Sequence, residues 1–133
     1  MKRFTLDSNE YVSALNGGGR ALGLLHMAIE GDIEIAISEP IISETIRVLR
    51  EKFDWPPYDL FDAGQRLRTI AKLVEPRQTL AVVADEPDNR ILECAAEAGS
   101  EYIITEDRAL LRLRKYGDAK LIRVADFLAA AEG

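Results

Sequence analysis

Residues 88–116 read DNRILECAAEAGSEYIITEDRALLRLRKY, and this stretch decides the fold class. Residues 88–98 have the apolar spacing of an amphipathic helix, and Gly99 is placed to end that helix. The β-branched and aromatic residues 102–105 predict a buried strand. Residues 108–116 return to helical spacing. A strand with a helix on either side is the unit from which parallel sheets are built.

The same alternation of short apolar runs and amphipathic runs extends over the rest of the chain. We predict further strands at 4–6, 33–37, 80–83 and 120–123. We predict further helices at 9–16, 21–30, 59–74 and 125–131, and one more that Ser38 caps and that the prolines 56 and 57 end. Strands separated by helices imply a mainly parallel sheet covered on both faces. We therefore predict a three-layer α/β/α sandwich, with residues 1–133 forming a single domain.

Composition excludes several classes of function. The chain has 133 residues, 47% hydrophobic and 30% charged, and no apolar run is long enough for a membrane span. The N-terminal apolar stretch is too short for a signal peptide, so we expect a cytoplasmic protein. The single cysteine, Cys94, lies in an apolar helical run and is expected in the core. Because His26 is the only histidine, histidine-based triads and zinc sites are disfavoured, and carboxylates must carry any catalysis.

Four carboxylates follow the predicted strands. Asp7 comes directly after the first strand, and Glu44 lies about one helical turn beyond the second. Asp88 opens the helix after the third strand, and Asp107 lies just past the fourth. Ligands of open α/β sheets bind outside the carboxyl ends of the strands, so we expect these four side chains to meet at one edge.

Such a cluster calls for compensating positive charge. Two unit charges about 4 Å apart repel by about 4 kcal/mol at an effective dielectric of about 20. Oxygen ligands without histidine or cysteine favour Mg²⁺ or Mn²⁺, which can activate water against a phosphodiester. Other roles stay open, because Asp7, Asp88 and Asp107 could be helix caps and Glu44 could pair with Arg47.

The charge distribution bears on a nucleic-acid partner. A net charge of −6 argues against phosphate binding, although metal at the acids would weaken that objection. The basic residues are unevenly spread, and they form either phosphate contacts or ordinary solvated helix faces. Two segments hold most of them: Arg47, Arg50, Lys52, Arg66, Arg68, Lys72 and Arg77 in the first, and Arg108, Arg112, Arg114 and Lys115 in the second.

Four motifs together resemble the PIN-domain family: LDSN at 6–9, SEPIISE at 38–44, DEPDNRILECA at 85–95 and YIITEDRALL at 102–111. The match is best to small, stand-alone PIN proteins that act as toxins of type II toxin–antitoxin pairs. The resemblance implies an endoribonuclease dependent on Mg²⁺ or Mn²⁺. It also implies that the catalytic and metal-binding acids are Asp7, Glu44, Asp88 and Asp107. Asn9 and Thr105 match polar residues that support this cluster in the family.

The resemblance also bears on partners and on activity. It implies a homodimer and a small antitoxin protein, for which Trp55, Tyr58 and Phe61 are candidate contacts, unless that turn packs only against its own helices. Glu106 stands where the family often has a small residue, and it would either tighten metal binding or hinder an approaching phosphate. Asp85 is a nearby acid that competes with Asp88 for the third position. A catalytically inactive PIN-like scaffold that binds RNA or a protein remains the alternative.

Overall fold

The structure is a computed structural model that describes the backbone of residues 2–132 and the side chains of residues 2–130. The described strands are β1 Arg3–Leu6, β2 Glu34–Ile37, β3 Lys72–Leu73, β4 Tyr102–Ile104, β5 Lys115–Tyr116 and β6 Ala119–Ile122. The described helices are α1 Ser8–Asn16, α2 Gly19–Ile29, α3 Glu39–Phe53, α4 Pro57–Ile70, α5 Glu86–Ala98, α6 Arg108–Leu111 and α7 Val124–Glu132. None of these helices combines the length and apolarity needed to cross a membrane.

The strands form one sheet in the order β3-β2-β1-β4-β6-β5. All pairs are parallel except β5 with β6. The chain moves outward from β1 to β3 and then returns to β4, and right-handed crossovers in both directions place helices on both faces. The predicted fold class, a three-layer α/β/α sandwich with a mainly parallel sheet, is confirmed.

The core forms around the three central strands because their side chains are apolar on both faces, as a covered parallel sheet requires. Phe4, Leu6, Ile35, Ile37 and Ile103 are at most 1% exposed. Cys94 is also fully buried on α5, as predicted.

The third strand was predicted in the wrong place. No strand forms at 80–83. The predicted helix 59–74 is also too long at its end, since α4 stops at Ile70. The chain turns extended at Ala71, and Lys72–Leu73 pairs with the edge of β2. The Val74 N–H then donates to the Ile37 carbonyl at 2.8 Å. Pairing with an open sheet edge therefore outweighs the helical spacing at this point.

The predicted helix 108–116 is also wrong beyond its first turn. Helix α6 ends at Leu111, and β5 and β6 then form an antiparallel hairpin. Gly117 has a φ of +59°, which suits the first position of a two-residue hairpin turn. Two helix starts also differ in detail. Helix α5 begins at Glu86, two residues before the prediction, and Ser38 occupies the N-cap position of α3 without donating or accepting a capping hydrogen bond through its side chain.

Candidate functional site

Asp7 is the best-anchored of the predicted acids. It ends β1, caps α1 and is only 3% exposed. Its Oδ1 accepts a hydrogen bond from the Asn9 backbone N–H at 3.1 Å, and its Oδ2 accepts one from the Thr105 hydroxyl at 2.7 Å. Burial raises the pKa of Asp7, and these hydrogen bonds partly offset the rise. The carboxylate is therefore held in one orientation.

Thr105 joins the ends of two neighbouring strands. Its Oγ1 donates to Asp7 and accepts from the Asp107 backbone N–H at 3.0 Å. The Asp107 carboxylate accepts from the Leu110 N–H at 2.9 Å and so caps α6. One buried hydroxyl thus fixes the relative placement of Asp7 and Asp107, which are 100 positions apart in the sequence.

Asp88 lies in the first turn of α5 and is 8% exposed. Burial, and after it the negative charges of Asp107, Asp85, Asp7 and Glu44 in that order, together raise its pKa to about 7. The capping oxygen of this helix belongs to Asp85, which accepts from the Asp88 N–H at 3.2 Å. The structure therefore brings all four predicted acids into one electrostatic neighbourhood and gives Asp85 the capping role. Their catalytic and metal-binding roles stay a prediction.

Glu44 forms the ion pair with Arg47 that was considered for it. Its side chain is 18% exposed, and its Oε1 accepts from the Arg47 Nε at 3.0 Å on the same helix. Arg47 also pairs with Glu51. The Glu44 charge nevertheless reaches Asp88. Among the described side chains, Glu44 is thus the one acid of the four that forms an ion pair.

Glu10 is an acid that the sequence analysis missed. It is 5% exposed, and burial, Glu106 and Asp7 together raise its pKa to about 7. The signal was its position three residues after Asp7 on a helix, since residues so spaced share a face. Glu10 therefore extends the acidic cluster on the α1 side.

Two neighbouring residues make contacts that the sequence did not predict. Asn9 is exposed and supports Asp7 through its backbone N–H rather than by a side-chain hydrogen bond. Glu106 is exposed, and its Oε2 accepts from the Val124 N–H at 3.1 Å, at the start of α7. Part of the charge that Glu106 adds is therefore used to satisfy a helix terminus.

The cluster is short of positive charge. Among the side chains that the structure describes, no lysine, arginine or histidine forms an ion pair with Asp7, Glu10, Asp88 or Asp107. This all-oxygen donor set fits a hard divalent cation. In the described residues, however, no three of these side chains already stand at metal-binding distance from a common point.

Comparisons with known proteins agree with this architecture. The sequence model described as "PIN domain" matches residues 3–109. The structure of VapBC2 from Rickettsia felis bound to a DNA fragment from the promoter gives a TM-score of 0.64 at 13% identity, over 91% of this chain and 98% of that chain. VapBC-1 from nontypeable Haemophilus influenzae gives a TM-score of 0.65 at 13% identity, over 92% and 98%. At this identity the two structures share the fold alone. No curated protein sequence matches the chain.

Proposed function

The chain belongs to the PIN-domain family, and from that premise we propose that it is a metal-dependent endoribonuclease. The observation that carries the proposal is the shared electrostatic field of Asp7, Glu44, Asp88 and Asp107 at the carboxyl edge of the sheet. Three of these acids have no cationic partner among the described side chains. A fold keeps such repulsion when a ligand relieves it.

The residues have distinct parts in this proposal. Asp7, Asp88 and Asp107 would hold Mg²⁺ or Mn²⁺, with Glu44 as a further oxygen ligand. The metal would supply an activated water and stabilise the leaving oxygen of the RNA phosphodiester. Thr105 would act as a positioning residue, because its hydroxyl donates to Asp7 and accepts from the Asp107 N–H. Ser8 adds a weak contact to Asp7 at 3.4 Å.

Calorimetric titration with Mn²⁺ tests the site. The wild type should bind the ion, and the double variant Asp7→Asn/Asp107→Asn should not. Asp85→Asn is the matched control, because asparagine caps a helix about as well as aspartate and should leave binding intact. The same three proteins are then incubated with RNA and excess Mn²⁺. Intact RNA with the wild type would refute the nuclease.

A non-catalytic scaffold is the second candidate. It is favoured by the capping roles of Asp7 and Asp107 and by the lack of a preformed three-ligand site among the described residues. In a scaffold, the Asp-to-Asn variants would keep their helix caps and would show no difference in their response to Mn²⁺. A difference of several degrees in the Mn²⁺-induced shift of Tm would exclude it.

We further propose that the protein is a cytoplasmic, single-domain toxin that a small antitoxin blocks. Tyr58 and Phe61 on α4 are 78% and 68% exposed, and they give apolar area for such a contact. Trp55 fits less well, since its Nε1 donates to the Asn16 side chain at 3.0 Å within the chain. A small reading frame for a DNA-binding protein beside the gene would support the pairing. Light scattering on the purified protein would test the proposed homodimer.

A further inference from the structure

Four arginines line one concave surface of about 390 Å³ beside the acids. We name it the arginine patch, and its lining residues are Arg108, Leu111, Arg112, Arg114 and Arg123. All four arginines are exposed. The surface spans α6, the turn after it and the end of β6.

The charges of the arginine patch are not neutralised by ion pairs. Of the eight arginines outside the patch, six pair with an acid within 4 Å, and among the described side chains only Arg20 and Arg50 do not. None of the four patch arginines has such a partner among the described side chains. Residues 108–123 contain six basic residues and only one acid, Asp118, in a chain of net charge −6. The patch is therefore a local positive field in an acidic protein.

Two hydrogen bonds join the arginine patch to the acidic edge. Arg108 directly follows Asp107, the N-cap of α6. On the other side, the Thr105 N–H donates to the Ile122 carbonyl at 3.0 Å, and Glu106 accepts from the Val124 N–H at 3.1 Å. These two contacts hold the intervening Arg123 at the carboxyl end of β6. The patch and the acids thus share one rim of the sheet.

Arg114 is held in an unfavourable backbone conformation. Its φ is +60°, in the left-handed region that costs a residue with a side chain about 1–2 kcal/mol. Its N–H donates to the Leu111 carbonyl at 3.0 Å, and its carbonyl accepts from the Leu121 N–H at 2.9 Å. The chain therefore keeps an arginine where glycine or asparagine would be less strained.

We propose that the arginine patch binds the phosphate backbone of the RNA strand next to the bond that is cut. This inference rests on the proposed function and names where the substrate lies on the protein. Guanidinium groups suit phosphate oxygens, and unpaired ones lose no internal ion pair on binding. Arg108 directly follows Asp107, and the four residues of α6 cover about 6 Å, so this end of the patch adjoins the acidic cluster.

The composition of the arginine patch favours RNA over an acidic protein partner. Leu111, half-buried, is its only apolar lining residue. Protein interfaces usually depend on buried aromatic or aliphatic anchors, which this surface lacks. With no aromatic ring to stack on a base, the patch contacts charge alone. It should therefore position the strand without selecting its sequence.

Binding is measured by fluorescence anisotropy with a labelled single-stranded RNA in EDTA, over a series of salt concentrations, so that no cleavage is required. Arg112→Ala/Arg123→Ala should weaken binding about tenfold and lower the slope of log K against log salt by about 1.4, since each phosphate contact contributes about 0.7. Arg66→Ala/Arg77→Ala removes the same charge from exposed sites outside the patch and should change Kd less than twofold. Equal losses in the two double variants would overturn the proposal.

Arg114→Asn gives an independent test, because asparagine tolerates left-handed backbone better. Its Tm should be unchanged or higher while RNA affinity falls. A polyglutamate peptide that binds the patch more tightly than RNA would instead identify a protein site and overturn the proposal. RNA that binds through the patch but is not cut with Mn²⁺ would refute the nuclease and keep the patch. Cleavage that is equal in wild type and patch variants would refute the patch and keep the nuclease.

Discussion

Replacing Asp88 by asparagine should stabilise the metal-free protein. Asp88 is 8% exposed, and burial together with the neighbouring acids raises its pKa from 3.8 to about 7. A rise of that size corresponds to about 4 kcal/mol that the folded state loses when the carboxyl ionises. Asparagine removes the charge and keeps the shape. The neutral asparagine also loses the favourable interaction of a negative charge with the N-terminus of α5, which offsets up to about 1 kcal/mol of this gain. Relaxation around the site lowers the gain further, to about 1–3 kcal/mol.

The sign of the pH dependence follows from the direction of the shift. Below pH 4 the carboxyl is protonated in both the folded and the unfolded states, so the variant gains nothing from this group. Between pH 4 and 7 the unfolded chain ionises first, and the wild type loses stability as the pH rises. Above pH 7 the loss is complete. The advantage of Asp88→Asn should therefore grow from near zero at pH 4 to its full value at pH 8.

Urea unfolding in EDTA, from pH 4 to pH 8.5, measures this advantage. Asp85→Asn is the control, because Asp85 is exposed and keeps a cap as asparagine. Adding Mn²⁺ at pH 8 should make the wild type more stable than Asp88→Asn, since a bound ion stabilises the folded protein that binds it. A variant no more stable than wild type at pH 8 in EDTA would refute the electrostatic reasoning about the cluster.

Three further predictions follow from neighbouring contacts. Thr105→Val should lower the free energy of unfolding by about 1.5–3 kcal/mol and weaken Mn²⁺ affinity about tenfold or more, because the hydrogen bond to Asp7 is lost. Thr105→Ser keeps the hydroxyl and should retain both the stability and the affinity. Denaturation and calorimetric titration of the two variants in parallel measure these effects. Glu10→Gln should raise the free energy of unfolding by about 1–3 kcal/mol at pH 8 and by little at pH 4, because the pKa of Glu10, like that of Asp88, is raised to about 7; urea unfolding at the two pH values measures the difference. Burial raises the pKa of the Cys94 thiol to about 12, so a thiol reagent at pH 8 should label Cys94 only after denaturant is added.

The fold class could be predicted from the sequence because the spacing of apolar residues changes clearly between strands and helices. Strands β1, β2 and β4 are short apolar runs flanked by turn residues and amphipathic helices, and few topologies accept that order. Given a parallel sheet, the carboxyl-edge rule placed Asp7 and Asp107 beside each other before their bridge through Thr105 was known. This step needed only strand ends, which are the most visible feature of such a sequence.

The errors lie where pairing with another segment decides local structure. Lys72–Leu73 is two residues long and has no pattern of its own, so only the free edge of β2 makes it a strand. Lys115–Tyr116 likewise becomes a strand by pairing with β6, although its spacing continues that of α6. Glu10 was missed for a related reason, since burial of a helix-start acid depends on what packs above it. The spacing of apolar residues carries no information about strand pairing or about what packs over the start of a helix.

The acids and the arginine patch remain available to opposite ligands because the fold keeps them from neutralising each other. Asp107 and Arg108 are adjacent in the sequence. Among the described side chains, however, no ion pair within 4 Å joins Asp107 to an arginine of the patch or Arg108 to an acid of the cluster. The Asp107 carboxylate is directed to the Leu110 N–H and its own N–H to Thr105, so its position is set by backbone contacts. Glu106 is similarly occupied by the start of α7. Had these acids folded onto the arginines, neither a cation nor a phosphate would gain much by binding. Under the proposed function, the acids would attract the metal ion and the arginine patch would attract the phosphodiester, so a net charge of −6 would not argue against an RNA substrate.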